Sequence, residues 1–137
     1  MSSDLASVRP ALDQVLEARH RWTLDGSHVH VPTSHGERHQ RVDLRIDGDD
    51  LVLTSVVLGP RRVNKSAKRR RELAVRAWHR NSATNLITYG IDRRSRLVGE
   101  VRHAVADLDP EELDLYIAVL AAECDRFEYL LGGDDRG

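Results

Sequence analysis

Residues 41–47 alternate between charged and apolar side chains more regularly than any other part of the chain. The apolar members are Val42, Leu44 and Ile46. A period of two is typical of a β-strand with one face buried and the other in solvent. A polar turn at 47–50 and an apolar stretch at 51–58 follow it. Together they predict an antiparallel hairpin, and the apolar stretch favours a covered, central place in a sheet.

Three other segments have apolar residues at spacings of three and four, which is typical of amphipathic helices. They cover residues 10–20, 65–82 and 110–132. Further strand patterns lie at 28–31, 86–91 and 97–105. The order helix, three strands, helix, two strands, helix predicts an α+β fold with a mainly antiparallel five-stranded sheet packed by helices. We expect one domain over residues 1–133 and a frayed tail at 134–137.

The last helix has the clearest beginning in the chain. Asp109 at the N-cap, Pro110 at the first helical position and Glu112 three residues after the cap predict a capping box. Cys124 lies on the apolar side of this helix, where a free cysteine ordinarily behaves as a small hydrophobic residue. The pattern therefore favours a buried, unreactive thiol over a catalytic one.

The composition narrows the class of protein further. The chain has 137 residues and one cysteine, so a single core is large enough to fold without a disulfide or a structural metal. No apolar run approaches the ~18 residues that a membrane span needs. Charged residues interrupt the first apolar positions of the chain, which argues against a secretory signal. These features predict a cytoplasmic protein.

Two segments of opposite charge stand apart in an almost neutral chain, whose formal net charge is −1. Residues 61–80 carry nine basic side chains and one acidic side chain, whereas residues 107–128 carry eight acidic side chains and one basic side chain. A surface polarised in this way can steer association with an oppositely charged partner. The alternative, which is the more common one for charge runs, is a pair of solvated helix faces.

The basic segment also supports a nucleic-acid hypothesis, in which Arg69, Arg76 and Arg80 contact phosphates from one side of the middle helix. Only six aromatic residues occur in the chain, and Trp78 alone is interleaved with these arginines. On a helical wheel Trp78 lies on the apolar side and not on a stacking platform. The residue pattern argues against constitutive nucleic-acid binding and retains it as the alternative function.

Residue types that hold metals or carry catalysis are present, but their spacing forms no strong motif. His28 and His30 would share one strand face, about 7 Å apart. A metal site would need a third ligand from His35, His39 or Asp43, supplied across a turn, so structural or solvent-exposed histidines are favoured. No phosphate-binding glycine loop or nucleophile motif occurs. We predict no enzyme activity, no metal and no cofactor.

The middle helix has one apolar side and one basic side. At about 100° per residue, the apolar side consists of Leu73, Ala74, Ala77, Trp78 and Asn81. The first four of these residues are the candidate contacts with a protein partner. Trp78 has two interpretations, because a tryptophan at this spacing also fits a core position under the sheet. Burial there would remove it from any contact with a partner.

The order of elements and several short motifs resemble the type III secretion chaperones and their YbjN-type relatives, which are small cytoplasmic proteins of bacteria. The motifs are His39-Gln40-Arg41-Val42, Ser55-Val56-Val57, Leu73-Ala74-Val75-Arg76 with Asn81, and Leu108-Asp109-Pro110-Glu111-Glu112-Leu113. The stretch at 123–128 is also similar, with Cys124 where the family commonly has alanine. The resemblance covers residues 22–133.

This resemblance implies a non-enzymatic, chaperone-like protein of the bacterial cytoplasm, which forms a homodimer and holds a partner protein or an extended segment of one. In the secretion chaperones the middle helix commonly forms the dimer contact. Here that helix is strongly basic, so a symmetric contact through its basic side would bring like charges together. Two alternatives remain: Ala74, Ala77 and Trp78 make the contact, or the dimer uses another surface. The resemblance does not identify the partner protein.

Overall fold

Six strands and four helices form in the part of the chain that the computed structural model describes, which is residues 5–33, 39–83 and 86–132. The helices are α1 (Arg9–Ala18), α2 (Pro60–Val63), α3 (Ala67–Ala83) and α4 (Pro110–Gly132). The strands are β1 (Thr23–Asp25), β2 (His28–Pro32), β3 (His39–Asp47), β4 (Asp50–Leu58), β5 (Thr88–Ile91) and β6 (Leu97–Ala104). The tail predicted at 134–137 lies outside the described residues.

The strands form one antiparallel sheet in the order β1-β2-β3-β4-β6-β5. β4 lies between β3 and β6, so the prediction of a central strand at 51–58 is confirmed. Helix α4 packs across β3, β4 and β6, and α1 packs on α4. Helix α3 lies at the far edge of the sheet, beside β5. The predicted α+β class, with helices packed on a mainly antiparallel sheet, is confirmed.

The hydrophobic core lies between the sheet and α4. Val42 and Leu44, from the alternating strand, are buried in it, and Phe127 is among its largest side chains. The opposite face of the sheet is polar and carries ion pairs such as Arg102 with Asp47 at 3.1 Å. Helix α4 spans 23 residues, but neither it nor any other helix in the described ranges is long and apolar enough to cross a membrane.

The sheet has one strand more than the five predicted. β1 contains three residues, of which Leu24 alone is apolar, so it has no alternation long enough to recognise. Gly26 has a φ of 63°, which allows the tight turn that returns the chain into β2. β1 is a strand because β2 supplies its hydrogen-bonding partner. The local sequence pattern does not show that β2 will pair with these three residues.

Two buried polar side chains, Gln40 and Ser55, join β3 to β4. Gln40 Nε2 donates to Ser55 Oγ at 2.7 Å and to the carbonyl oxygen of Val56 at 2.8 Å. Ser55 Oγ donates to the carbonyl oxygen of Arg41 at 2.7 Å. Each of these donors therefore has an acceptor, as burial of polar groups requires. The residue pattern did not indicate this network, because glutamine and serine are ordinarily exposed.

The capping box predicted at the start of α4 is confirmed. The backbone N–H of Glu112 donates to Asp109 Oδ1 at 2.8 Å, and the N–H of Asp109 donates to Glu112 Oε1 at 3.4 Å. We expect Asp109→Ala to lower the free energy of unfolding by about 1 kcal/mol, because an amide of the first turn loses its acceptor. Asp107→Ala, at an exposed position before the helix, should change it by less than about 0.5 kcal/mol. Urea denaturation measures both values, and equal losses would rule out the capping role.

Candidate protein-binding surface

Helix α3 begins at a defined cap and is anchored along one side. Ser66 Oγ accepts a hydrogen bond from the N–H of Arg69 at 2.9 Å, as an N-cap residue does. Further along the helix, Leu73 and Ala77 are buried in the hydrophobic core. The cap determines where α3 begins, and the two buried side chains determine which side of it faces the protein.

The opposite side of α3 is open to solvent. We call it the α3 face and define it by Lys68, Arg71, Ala74, Val75 and Trp78, all of which are exposed. Trp78 is 66% exposed and Val75 is 53% exposed. Among the described residues, Trp78 is the most exposed large hydrophobic side chain. Burying such a side chain against a partner would contribute about 1.5–3 kcal/mol.

The structure divides the four contact residues predicted from the sequence. Ala74 and Trp78 lie on the α3 face, whereas Leu73 and Ala77 belong to the core and are not available to a partner. The division arises because the core contact is centred between Leu73 and Ala77, and Trp78 lies about 120° around the helix from that centre. Val75, which was not among the predicted contacts, belongs to the α3 face.

A groove of about 440 Å³ lies between the basic end of the α3 face and the neighbouring side of the helix. It is lined by Lys68, Arg69, Arg71, Glu72, Val75 and Arg76. Glu72 Oε1 lies 3.9 Å from Lys68 Nζ, and Glu72 Oε2 lies 3.7 Å from Arg69 Nη1, so this carboxylate neutralises part of the positive charge of the groove. The aliphatic stems of the basic residues add apolar surface beside Val75. The groove therefore combines apolar surface, from Val75 and these stems, with positive charge.

Arg80, near the end of α3, is held by the protein itself. Its Nη2 donates to Glu123 Oε2 at 3.1 Å. Its guanidinium carbon lies 4.6 Å from the centre of the Phe127 ring and 5.6 Å from the centre of the Tyr89 ring. A charged hydrogen bond and cation–π contacts thus join α3 to α4 and β5. These contacts occupy the guanidinium group of Arg80, which the nucleic-acid hypothesis assigned to contact with a phosphate.

The other two arginines of that hypothesis lie in different settings. Arg69 is partly buried and close to Glu72, whereas Arg76 is exposed. The positive surface available to a nucleic acid is therefore smaller than the charge of residues 61–80 suggests.

His28 and His30 both lie on the polar face of β2, but they face different partners. His28 Nδ1 contacts Asp43 across the strand pair, and the same carboxylate accepts a hydrogen bond from Arg41 Nε at 2.8 Å. His30 lies opposite Arg41. Within residues 5–33, 39–83 and 86–132, no group of three His, Cys, Asp or Glu side chains is placed to hold a metal ion. His35 lies outside those ranges.

Cys124 is buried between α4 and the sheet, in agreement with the helical pattern. Its Sγ donates to the carbonyl oxygen of Ser55 at 3.7 Å. Burial raises the pKa of the thiol to about 12. The thiol is therefore protonated at neutral pH and is not a nucleophile in the folded protein.

Comparisons of sequence and of structure give different results for this chain. No family profile and no curated protein sequence matches it. A chain in the crystal structure of the ExsC–ExsE complex matches with a TM-score of 0.61 at 19% identity, over 94% of this chain and 96% of that chain. YbjN from E. coli, a candidate transcription regulator, matches with a TM-score of 0.59 at 12% identity, over 93% of both chains. A chain of the HopA1–SchA chaperone–effector complex matches with a TM-score of 0.55 at 14% identity, over 85% of this chain and 91% of that chain.

This is the fold of the type III secretion chaperones and of YbjN. The resemblance that the residue pattern indicated is thereby confirmed for the fold. In this secretion-chaperone fold α3 is the middle helix, and its exposed side is the α3 face. At 12% to 19% identity, the likeness concerns the path of the chain. The chemistry of the surface follows from the residues of this protein alone.

Proposed function

We propose that this protein is a non-enzymatic, chaperone-like protein-binding module of the bacterial cytoplasm, which acts as a homodimer and holds a partner protein or an extended segment of one. The exposed apolar centre of the α3 face, formed by Val75 and Trp78, is the observation that carries the proposal. Tryptophan is enriched where protein interfaces gain most of their free energy. Two structures with the same fold are complexes, of ExsC with ExsE and of SchA with HopA1.

An antiparallel pairing of two α3 faces avoids the conflict between like charges. If two copies cross near Val75, the rise of ~1.5 Å per residue separates Arg71 from its copy by ~12 Å along the helix axis. The same geometry separates Lys68 from its copy by ~21 Å. Both distances exceed the Debye length of ~8 Å in physiological salt. The apolar centre of the face can therefore pair with itself while the basic ends stay apart.

Capture of partners from a lysate of the native organism tests the function. The full chain is immobilised, the lysate is applied with and without nuclease, and the bound proteins are identified by mass spectrometry. We expect a protein partner that survives nuclease treatment and ~0.2 M salt, because burial of apolar surface depends weakly on salt whereas phosphate contacts weaken steeply.

Two variants of α3 serve as the control for this experiment. In this proposal the α3 face joins the two copies and the dimer holds the partner, so Trp78→Ala should reduce the amount of captured protein. Arg76→Gln, which removes one exposed charge from the groove beside that face, should reduce it less. Loss of the captured material on nuclease treatment, or a larger effect of Arg76→Gln than of Trp78→Ala, would favour the nucleic-acid alternative and overturn the proposal.

A further inference from the structure

The two edges of the sheet differ in how they are protected against further strand pairing. β1, at one edge, has only three residues and includes the charged Asp25. β5, at the other edge, has the sequence Thr-Tyr-Gly-Ile and contains neither a charged residue nor a proline. Short length and charge are common means of protecting an edge, whereas an uncharged edge strand is a template for pairing with another chain. β5 therefore needs protection from elsewhere in the structure.

The side chain of Asn81, from α3, occupies the open edge of β5. Asn81 Nδ2 donates to the carbonyl oxygen of Tyr89 at 2.9 Å. Asn81 Oδ1 accepts a hydrogen bond from the N–H of Tyr89 at 2.6 Å. An antiparallel strand would make the same two bonds, because a hydrogen-bonded pair of residues exchanges both N–H···O contacts. The carboxamide of Asn81 thus makes the two hydrogen bonds that one residue of a further strand would make.

The residue type and its surroundings both suit this role. A carboxamide carries a donor and an acceptor at its end, whereas an aspartate carries only acceptors. The preceding residue, Arg80, joins α3 to Glu123 and Phe127 of α4, which holds the end of the helix in place beside β5. The spacing places Asn81 on the apolar side of the middle helix, four residues after Ala77, and it lies on the part of that side that faces the protein together with Leu73 and Ala77.

We propose that Asn81 terminates the sheet, and that by satisfying Tyr89 it closes the β5 edge to a second copy of this chain. A second copy is the fitting occupant, because two identical edge strands pair antiparallel about a two-fold axis. No charge within β5 opposes that pairing. This role is independent of the α3 face, so self-association through β5 and self-association through Trp78 are separable.

The test places Asn81→Ala in a chain that also carries Trp78→Ala, which removes pairing through the α3 face. At protein concentrations at which both chains are monomeric, we expect the backbone amide of Tyr89 to exchange with deuterium at least about 10-fold faster than in the Trp78→Ala chain, because its acceptor is lost. The backbone amides that form hydrogen bonds between β4 and β6 should keep their exchange rates. Sedimentation velocity should show a dimer that increases with protein concentration.

Ser82→Ala, in the same Trp78→Ala chain, is the matched control. Ser82 is exposed, and its hydroxyl contacts the carbonyl oxygen of residue 78 in its own helix, so neither the exchange rate nor the mass should change. If the Asn81→Ala chain folds poorly, Asn81→Ser takes its place in the experiment. The serine side chain is too short to reach both groups of Tyr89, so the same effects are expected. An unchanged exchange rate at Tyr89, a uniform rise across the whole sheet, or a chain that remains monomeric at every concentration would overturn the proposal.

Discussion

Trp78→Ala is expected to convert the proposed homodimer into a monomer. By symmetry the substitution removes two tryptophan side chains from one interface. Burial of each contributes about 1.5–3 kcal/mol to the free energy of association. Because ~1.4 kcal/mol corresponds to a tenfold change in an equilibrium constant, Kd for dimerisation should rise at least ~100-fold. Sedimentation velocity over a range of protein concentrations measures this change. The unfolding of the monomer should change little, because Trp78 is 66% exposed.

Val75→Ala and Leu115→Ala form a matched pair for this experiment. Both side chains are 53% exposed, but Val75 lies on the α3 face and Leu115 lies on α4. Val75→Ala should weaken the dimer, and Leu115→Ala should leave its Kd unchanged. A dimer that survives Trp78→Ala, or that is weakened equally by both alanine controls, would show that the α3 face is not the contact.

Gly99→Ala is expected to lower the free energy of unfolding by about 1–3 kcal/mol, through overpacking of the core. A Cβ at this position of β6 would lie 2.7 Å from Cys124 Sγ and 3.1 Å from side-chain carbons of Ile87 and Tyr89. All three neighbours are buried, so they cannot move aside without displacing others. The midpoint of urea denaturation measures the loss.

Cys124 makes the closest of these contacts, so it should account for most of the loss. The double variant Gly99→Ala, Cys124→Ala should lose about 1 kcal/mol less unfolding free energy than the sum of the losses in the two single variants, because the removed sulfur makes room for the added methyl group. Gly90→Ala is the control, since a Cβ at that position of β5 meets nothing within 4 Å. It should be neutral or stabilising by up to about 1 kcal/mol. Strict additivity at 99 and 124, or an equal cost at 90, would exclude this explanation.

The elements that could be predicted are those decided by residues close together in the sequence. The alternation in β3 and the capping box of α4 each depend on a few neighbouring side chains, so their periods and spacings are sufficient. β1 could not be predicted in this way, because its three residues become a strand only through pairing with β2. The position of β5 beside Asn81 likewise depends on how the chain returns after α3.

The candidate surface illustrates a second limit of prediction from sequence. A helical wheel orders residues around α3, but it does not say which of them faces the sheet. Leu73 and Ala77 face inward, and contacts of Arg80 and Asn81 with α4 and β5 hold the helix in that orientation. Trp78 is exposed as a result. Its exposure therefore depends on partners that are distant in the sequence.

Oxidative cross-linking at position 75 tests the pairing of two α3 faces most directly. Antiparallel faces that cross near Val75 bring residue 75 of each copy together, so Val75→Cys should form a disulfide between two chains. Cys124 does not compete, because it is buried and burial raises the pKa of its thiol to about 12. Leu115→Cys, which replaces an equally exposed side chain on α4, measures cross-linking by random collision. We predict that Val75→Cys forms a covalent dimer much faster than Leu115→Cys does. Cross-linking of Val75→Cys no faster than that of Leu115→Cys would contradict the pairing.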